Sequence, residues 1–120
     1  MTMSQGMTYV LAAGLAALSA RAAFAPRGAA LAYGVPLPEG AAPTPFLEVK
    51  ANRDLVLAGL LVVTASASQS VLAAALFVGA IAPAADAWTV ARHGKPFGTG
   101  IHLATVAYLI VAGALAASGH

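Results

Sequence analysis

Six ionisable side chains, delivered by four separate apolar stretches, are the residues of this chain with the types and spacing to do chemistry. They are Arg21, then Lys50, Arg53 and Asp54 close together, then Asp86, then His102. An imidazole beside carboxylates can hold or shuttle a proton near neutral pH. Asp54, Asp86 and His102 are therefore the candidate catalytic residues. Arg21, Lys50 and Arg53 are the candidate binding groups, for an anionic or carbonyl group or as ion partners of the two acids. Lys50 and Asp54 are four apart and share a helix face. Each residue also has a plainer reading: ion pairs near helix ends that only set register, a packed and hydrogen-bonded His102, and an Arg21 that snorkels from a helix C-terminus. Asp54, Asp86 and His102 match a carboxylate–imidazole metal set in type. Without an HxxxH or ExxH spacing, and with Arg and Lys opposing a cation, no metal and no cofactor is expected.

Composition decides what surrounds these residues. Hydrophobic residues make up 60% of the chain and charged ones 8%, and mean hydropathy is +0.84. A soluble domain carries roughly 25% charged residues, so this chain lacks the material for a water-facing shell and is expected to live in the lipid bilayer. It has no cysteine, which removes disulfides and thiolate metal sites. The formal charge of +2 comes from six Lys and Arg residues that bracket apolar runs, too sparse for a nucleic-acid surface.

The elements that must position the ionisable groups follow from the stretch Phe46–Trp88. No charged residue lies between Asp54 and Asp86. As one helix, at ~1.5 Å per residue, that run would reach ~45 Å against a hydrocarbon core of ~30 Å. Its middle, Thr64–Ser70, is small and polar, so the chain is expected to turn back there. The expected fold is all-α: a four-helix transmembrane bundle, one integral membrane domain over 1–120, with spans at about 4–25, 45–65, 68–90 and 99–117. Pro83 should bend or interrupt the third span. Small-residue pairs such as Ala12/Ala16 suit close helix packing. Residues 26–45 hold Pro26, Pro36, Pro38, Pro43 and Pro45 with Gly28, Gly34 and Gly40. They predict a long irregular loop between the first two helices, with at most one turn at Ala29–Tyr33, of the kind that serves as a lid or binding loop. The tail Ser118–His120 is expected to fray. Ala-Phe-Ala at 23–25 resembles a signal cleavage site, but no Lys or Arg precedes the apolar run, so a retained first span is expected.

In this arrangement all six Lys and Arg residues fall on one side. The positive-inside rule then places the polar cluster and the long loop in the cytoplasm and both termini outside, in a bacterial inner membrane. Asp54, Asp86 and His102 each lie ~18–24 Å along their helices from the opposite surface, within or at the edge of one leaflet. An isolated charge there costs at least ~2.5–3.5 kcal/mol, which favours mutual pairing toward the bundle axis.

The set Arg21 to Pro26, Tyr33-Gly34-Val35-Pro36, Val49-Lys50-Ala51-Asn52-Arg53-Asp54-Leu55 with Gly59, Asp86 with Gly94, and His102 resembles a family of small four-span membrane proteins. That family is known chiefly as a domain of unknown function in bacteria and fungi, and loosely resembles the DoxX-like small membrane proteins. The Lys-x-x-Arg-Asp-Leu block is the most specific part of the likeness. The resemblance implies four helices and a shared polar site at Arg21, Lys50, Arg53, Asp54, Asp86 and His102; it supplies no activity.

Three functions are compatible with these residues. One is an enzyme or binding protein for a lipophilic small molecule, working by acid/base chemistry. Another is an accessory subunit of a membrane complex whose ion pairs are purely structural. The third is a small dimeric proton-coupled transporter, disfavoured because the first span carries no acid. Partners beyond the bilayer would be the lipophile and a second copy of the chain.

Overall fold

In the computed structural model, residues 1–42 and 45–120 are described, and they are mostly helical with no strand among them. The helices are α1 (Met3–Phe24), α2 (Pro26–Tyr33), α3 (Pro45–Ala65), α4 (Gln69–Gly79), α5 (Ile81–His93) and α6 (Pro96–Ala117). The molecule is long and thin, 50 × 25 × 16 Å, on the scale of a bilayer with its headgroups at ~40–45 Å.

Among the described residues, three helical stretches are long and apolar enough to cross a membrane: Met3–Phe24, Gln69–His93 and Pro96–Ala117. The remaining long helix, α3, has 21 residues but carries Glu48, Lys50, Arg53 and Asp54 near its start. Its length suits a span; its charge sets it apart from the other three.

Local chemistry explains the helix limits. Thr2 caps α1 through a capping box with Gln5, which satisfies two end donors reciprocally. Ser68 caps α4 by accepting from the Val71 N–H. Between them the chain leaves helix at Ser66–Ser68. α4 and α5 are one rod interrupted at Ala80. Pro83 cannot donate to the Gly79 carbonyl and its ring crowds it, which breaks the ladder at that point.

The 26–45 segment departs from the expected irregular loop. Its first eight residues form α2, with Pro26 in the first turn and Gly34 at φ 103° closing it. Proline fits a helix start because its missing N–H would be unpaired there, and glycine accepts the left-handed stop. Arg27 then ties down the following strap by donating to the Pro38 and Ala41 carbonyls. Pro43 lies outside the described residues.

Packing divides the bundle into two helix pairs, α1 with α3 and α4–α5 with α6. The buried residues of α3 are Leu47, Ala51, Asp54, Ala58, Leu61 and Ala65, alternating four and three apart, which is the seam of close helix packing. On α6 the Phe77 ring of α4 lies against Gly113, where a Cβ would come within 2.9 Å of it. The core joins the pairs through Ala12, Leu61, Ala65, Leu72, Leu76, Leu109 and Ala112, toward the end that holds the termini. The expected frayed tail is docked: the Ser4 N–H donates to the His120 carbonyl at 3.2 Å and the His120 N–H to that of Leu115 at 2.9 Å.

Candidate functional site

Because the buried seam of α3 includes position 54, Asp54 points inward and is 3% exposed. Lys50, one turn earlier on the same face, is its ion partner. Arg53 leaves the seam sideways and crosses to the other helix pair. There it meets Asp86 of α5 as a fork, Nη1 donating to Oδ1 at 3.0 Å and Nη2 to Oδ2 at 2.7 Å. Nη2 also approaches Asp54 Oδ1 at 3.3 Å. The result is one chain of alternating charge, Lys50–Asp54–Arg53–Asp86, with two cations and two anions. A carboxylate held by a guanidinium fork is the strong geometry for such a pair. Arg53 Nε is the one buried side-chain polar atom among the described residues left without a partner.

Tyr33, the last residue of α2, enters this cluster from the connecting segment. Its hydroxyl donates to Asp86 Oδ1 at 3.2 Å, and Lys50 Nζ stands 5.3 Å from its ring centre. Burial, with the Asp86 charge adding to it, pushes the Tyr33 phenol up to about 12, so it stays protonated and donates. Three glycines fasten it in place. The Gly34 carbonyl accepts from the Lys95 N–H at 2.9 Å. A Cβ on Gly98 would lie 2.6 Å from the Gly34 Cα, and one on Gly94 would lie 2.3 Å from the Gly34 oxygen. Only backbone without side chains lets α2 dock this closely on the α5–α6 turn.

His102 is on the same level but does not touch a carboxylate. Its Nε2 is 3.0 Å from the Tyr33 carbonyl oxygen, and its ring meets the Tyr33 ring edge-on at 4.8 Å. The carboxylate–imidazole contact expected from sequence is therefore replaced by an indirect one through a single residue: Tyr33 touches Asp86 with its hydroxyl and His102 with its backbone carbonyl. Arg21 departs further from expectation. It is exposed, lies across Gly28 and lines a separate cavity of about 290 Å³ with Lys95 and Phe97. The buried face of α1 carries Ser4, Thr8, Ala12 and Ser19. Arg21, two residues past Ser19, is turned about 200° away from it at ~100° per residue. The partners of both carboxylates come from α3 instead.

Above the cluster, between the two helix pairs, lies a cavity of about 460 Å³. Lys50, Arg53, Asp54, Tyr33, Asp86 and His102 all line one end. Its remaining wall is almost wholly aliphatic, with Leu11, Leu15, Leu18, Leu57, Leu60 and Val78 among the residues that form it. The volume falls within the ~300–1,000 Å³ of small-molecule sites. Among the described residues, no group of three His, Asp or Glu side chains stands close enough to ligate one metal ion.

The Tyr33 contribution was missed by sequence reasoning, which treated residues 26–45 as a lid without assigning a side chain to the site. The available signal was punctuation: Pro26 and Gly34 bracket a short helix whose last side chain is Tyr33.

No curated protein and no solved structure matches this chain. A family model does, over residues 12–116, a range that takes in every member of the cluster. The chain belongs to the family described as a domain of unknown function, DUF4267.

Proposed function

We propose that this protein is a four-span integral membrane protein that holds a lipophilic small molecule in the cavity between its helix pairs, with its polar cluster as the head-group site. The observation that carries this reading is the cavity's division: an aliphatic body closed at one end by six polar or ionisable side chains. α3 supplies the fourth span, its charged first turns lying at the membrane face, with Lys50, Arg53 and Asp54 paired internally. All six Lys and Arg residues sit toward that end, so it is cytoplasmic, with both termini outside. In this reading His102 and Asp86, both in contact with Tyr33, are the groups that would move a proton on a bound molecule.

The other end weighs against a transport route. Thr2, Ser4 and Gln69 hydrogen-bond to one another, and Gln5 to the Ala65 carbonyl, at the far end of the bundle. A specific observation also favours a structural role: both buried acids have basic partners, as in a subunit whose ion pairs only fix helix register.

The two are separated by purifying the protein in mild detergent, extracting it with organic solvent and identifying released lipophiles by mass spectrometry. A recurrent lipophile, lost from a helical and monodisperse Leu57→Trp protein whose cavity is filled, is the expected result. A wild-type protein that neither carries nor takes up any lipophile overturns the proposal and leaves the structural role.

A further inference from the structure

The charges around the cavity sum to a definite requirement on what it holds. Lys50, Asp54, Arg53 and Asp86 form a closed set of two cations and two anions, each in contact with an opposite charge. A carboxylate or phosphate head would have to compete with Asp54 or Asp86 for a cation. An ammonium head would have to compete with Lys50 or Arg53 for an anion. Either would leave an uncompensated charge in a cavity otherwise walled by leucines, where unpaired charge is costly.

Hydrogen-bonding capacity narrows the head group further. The atom facing His102 Nε2 is a carbonyl oxygen, which can only accept, so Nε2 carries the proton. In the neutral imidazole Nδ1 is then a bare acceptor, and it has no hydrogen-bond partner among the described residues. Thr105 also lines the cavity, and its proton is committed to the Ile101 carbonyl, which leaves its oxygen as a second acceptor. The Tyr33 proton is committed to Asp86. Unused donors remain as well on Lys50, whose ammonium has three protons and a single carboxylate partner. A carbonyl head would answer only the donors. A hydroxyl answers both, giving its proton to Nδ1 and accepting on its oxygen.

We infer that the cavity takes a neutral lipophile ending in a hydroxyl group, a long-chain or polycyclic alcohol, whose O–H donates to His102 Nδ1. The aliphatic wall sets the room available for its apolar part: Lys50 and Thr64 both line the cavity on α3, and fourteen residues of helix between them span about 21 Å.

This inference rests on the cavity-binding reading, and its test separates the two. Purified protein in nanodiscs is equilibrated in turn with cetyl alcohol, palmitic acid, cetylamine and hexadecane at mildly alkaline pH, where the acid is ionised, and bound probe is counted by native mass spectrometry. Cetyl alcohol is expected to bind about fivefold to tenfold more tightly than hexadecane, the worth of one hydrogen bond, and more tightly than either charged probe. In His102→Phe the alcohol should fall to the level of hexadecane while hexadecane is still held. Equal binding of alcohol and alkane by the wild type, or preference for the acid or the amine, overturns the hydroxyl inference and leaves the cavity reading standing. Binding of none of the four overturns the cavity reading itself. The wild-type comparison needs no variant to fold.

Discussion

The two ends of this bundle solve the same problem, buried polar groups, by opposite means. At the end holding the termini the groups are neutral and short. Ser4 and Thr8 are fully buried; Ser4 Oγ meets Gln69 Oε1 at 3.1 Å, Gln69 Nε2 meets Thr2 Oγ1 at 3.0 Å, and Thr8 returns its proton to the Ser4 carbonyl. Short side chains satisfy one another only when backbones approach, so this end is closed. At the other end the groups are charged and long. Arg53 reaches from α3 to Asp86 on α5, and the guanidinium acts as a strut between helix pairs that elsewhere touch through alanine and leucine. That long side chain joins the pairs across a wider gap, beside the cavity it helps to line. The comparison teaches that long charged groups can bridge a gap here, where neutral hydrogen bonding needs the backbones close.

The strut is the part whose loss should cost most. Arg53→Met leaves Asp86, 9% exposed, with only the Tyr33 hydroxyl. Breaking a fully buried pair costs ~3–5 kcal/mol; because the Arg53 side chain is 37% exposed, about 2–3 kcal/mol is the expectation after screening. Thermal unfolding in one detergent across a variant series would read it. The double variant Arg53→Met/Asp86→Leu should recover most of the loss, since removing both partners leaves no orphan charge. A double variant as unstable as the single one would show that the strut's role is not electrostatic.

Particular residues show what was legible beforehand. Asp54, Asp86 and the Lys50–Arg53 group announced themselves as charges in apolar runs, and depth along a helix is simple arithmetic. Azimuth is not: Arg21 has the right depth and the wrong face, and only the stripe of Ser4, Thr8, Ala12 and Ser19 on α1 reveals that. The break at Ser66–Ser68 was legible from small polar residues, and the interruption near Pro83 from its missing N–H. α2 was obscured by proline counting, although Pro26 and Gly34 sit where a helix starts and stops. The docking of Gly34 on Gly94 and Gly98 joins residues far apart in sequence and had no local signal, so punctuation could put Tyr33 at the end of a short helix but not beside Asp86.

That docking offers the second way to perturb the charged end. Gly98→Ala puts a Cβ 2.6 Å from the Gly34 Cα, and neither backbone can yield as a flexible side chain would. Forced overpacking of this kind costs about 1–3 kcal/mol. The expected readout is faster protease cleavage between α2 and α3, with Tyr33 withdrawn from Asp86. Gly100→Ala on the same helix meets nothing within 4 Å and should be silent. Equal protease sensitivity of the two variants would mean that α2 is not held by the glycine contact.

The neutral end should respond less. Gln69→Ala removes two hydrogen bonds, to Ser4 and Thr2, each worth about 0.5–1.5 kcal/mol in net terms. Stability should fall by about 1–2 kcal/mol, with amide exchange rising in the first turn of α1. Under the proposed cavity-binding function, retention of a lipophile should be unchanged, since nothing at this end lines the cavity's polar face. Loss of a retained lipophile in Gln69→Ala would mean that the two ends are not independent.

The finest test concerns Tyr33 and its pH dependence. Its phenol is raised from the ordinary 10 to about 12 in the folded protein, so the protonated form is the one the fold favours. The contribution is fully present below pH 10, begins to fade once the unfolded chain can ionise there, and is gone as pH rises through about 12. Below pH 9 wild type should exceed Tyr33→Phe by about 1 kcal/mol, one hydrogen bond to a carboxylate partly offset by the phenol's desolvation. Between pH 10 and 12 the gap should close, because only wild type has a phenol to ionise. Taking the difference between the two proteins isolates the phenol from the contributions they share. A gap that stays constant through pH 12 would place the phenol in solvent, and one that is absent at pH 7 would remove Tyr33 from the cluster altogether.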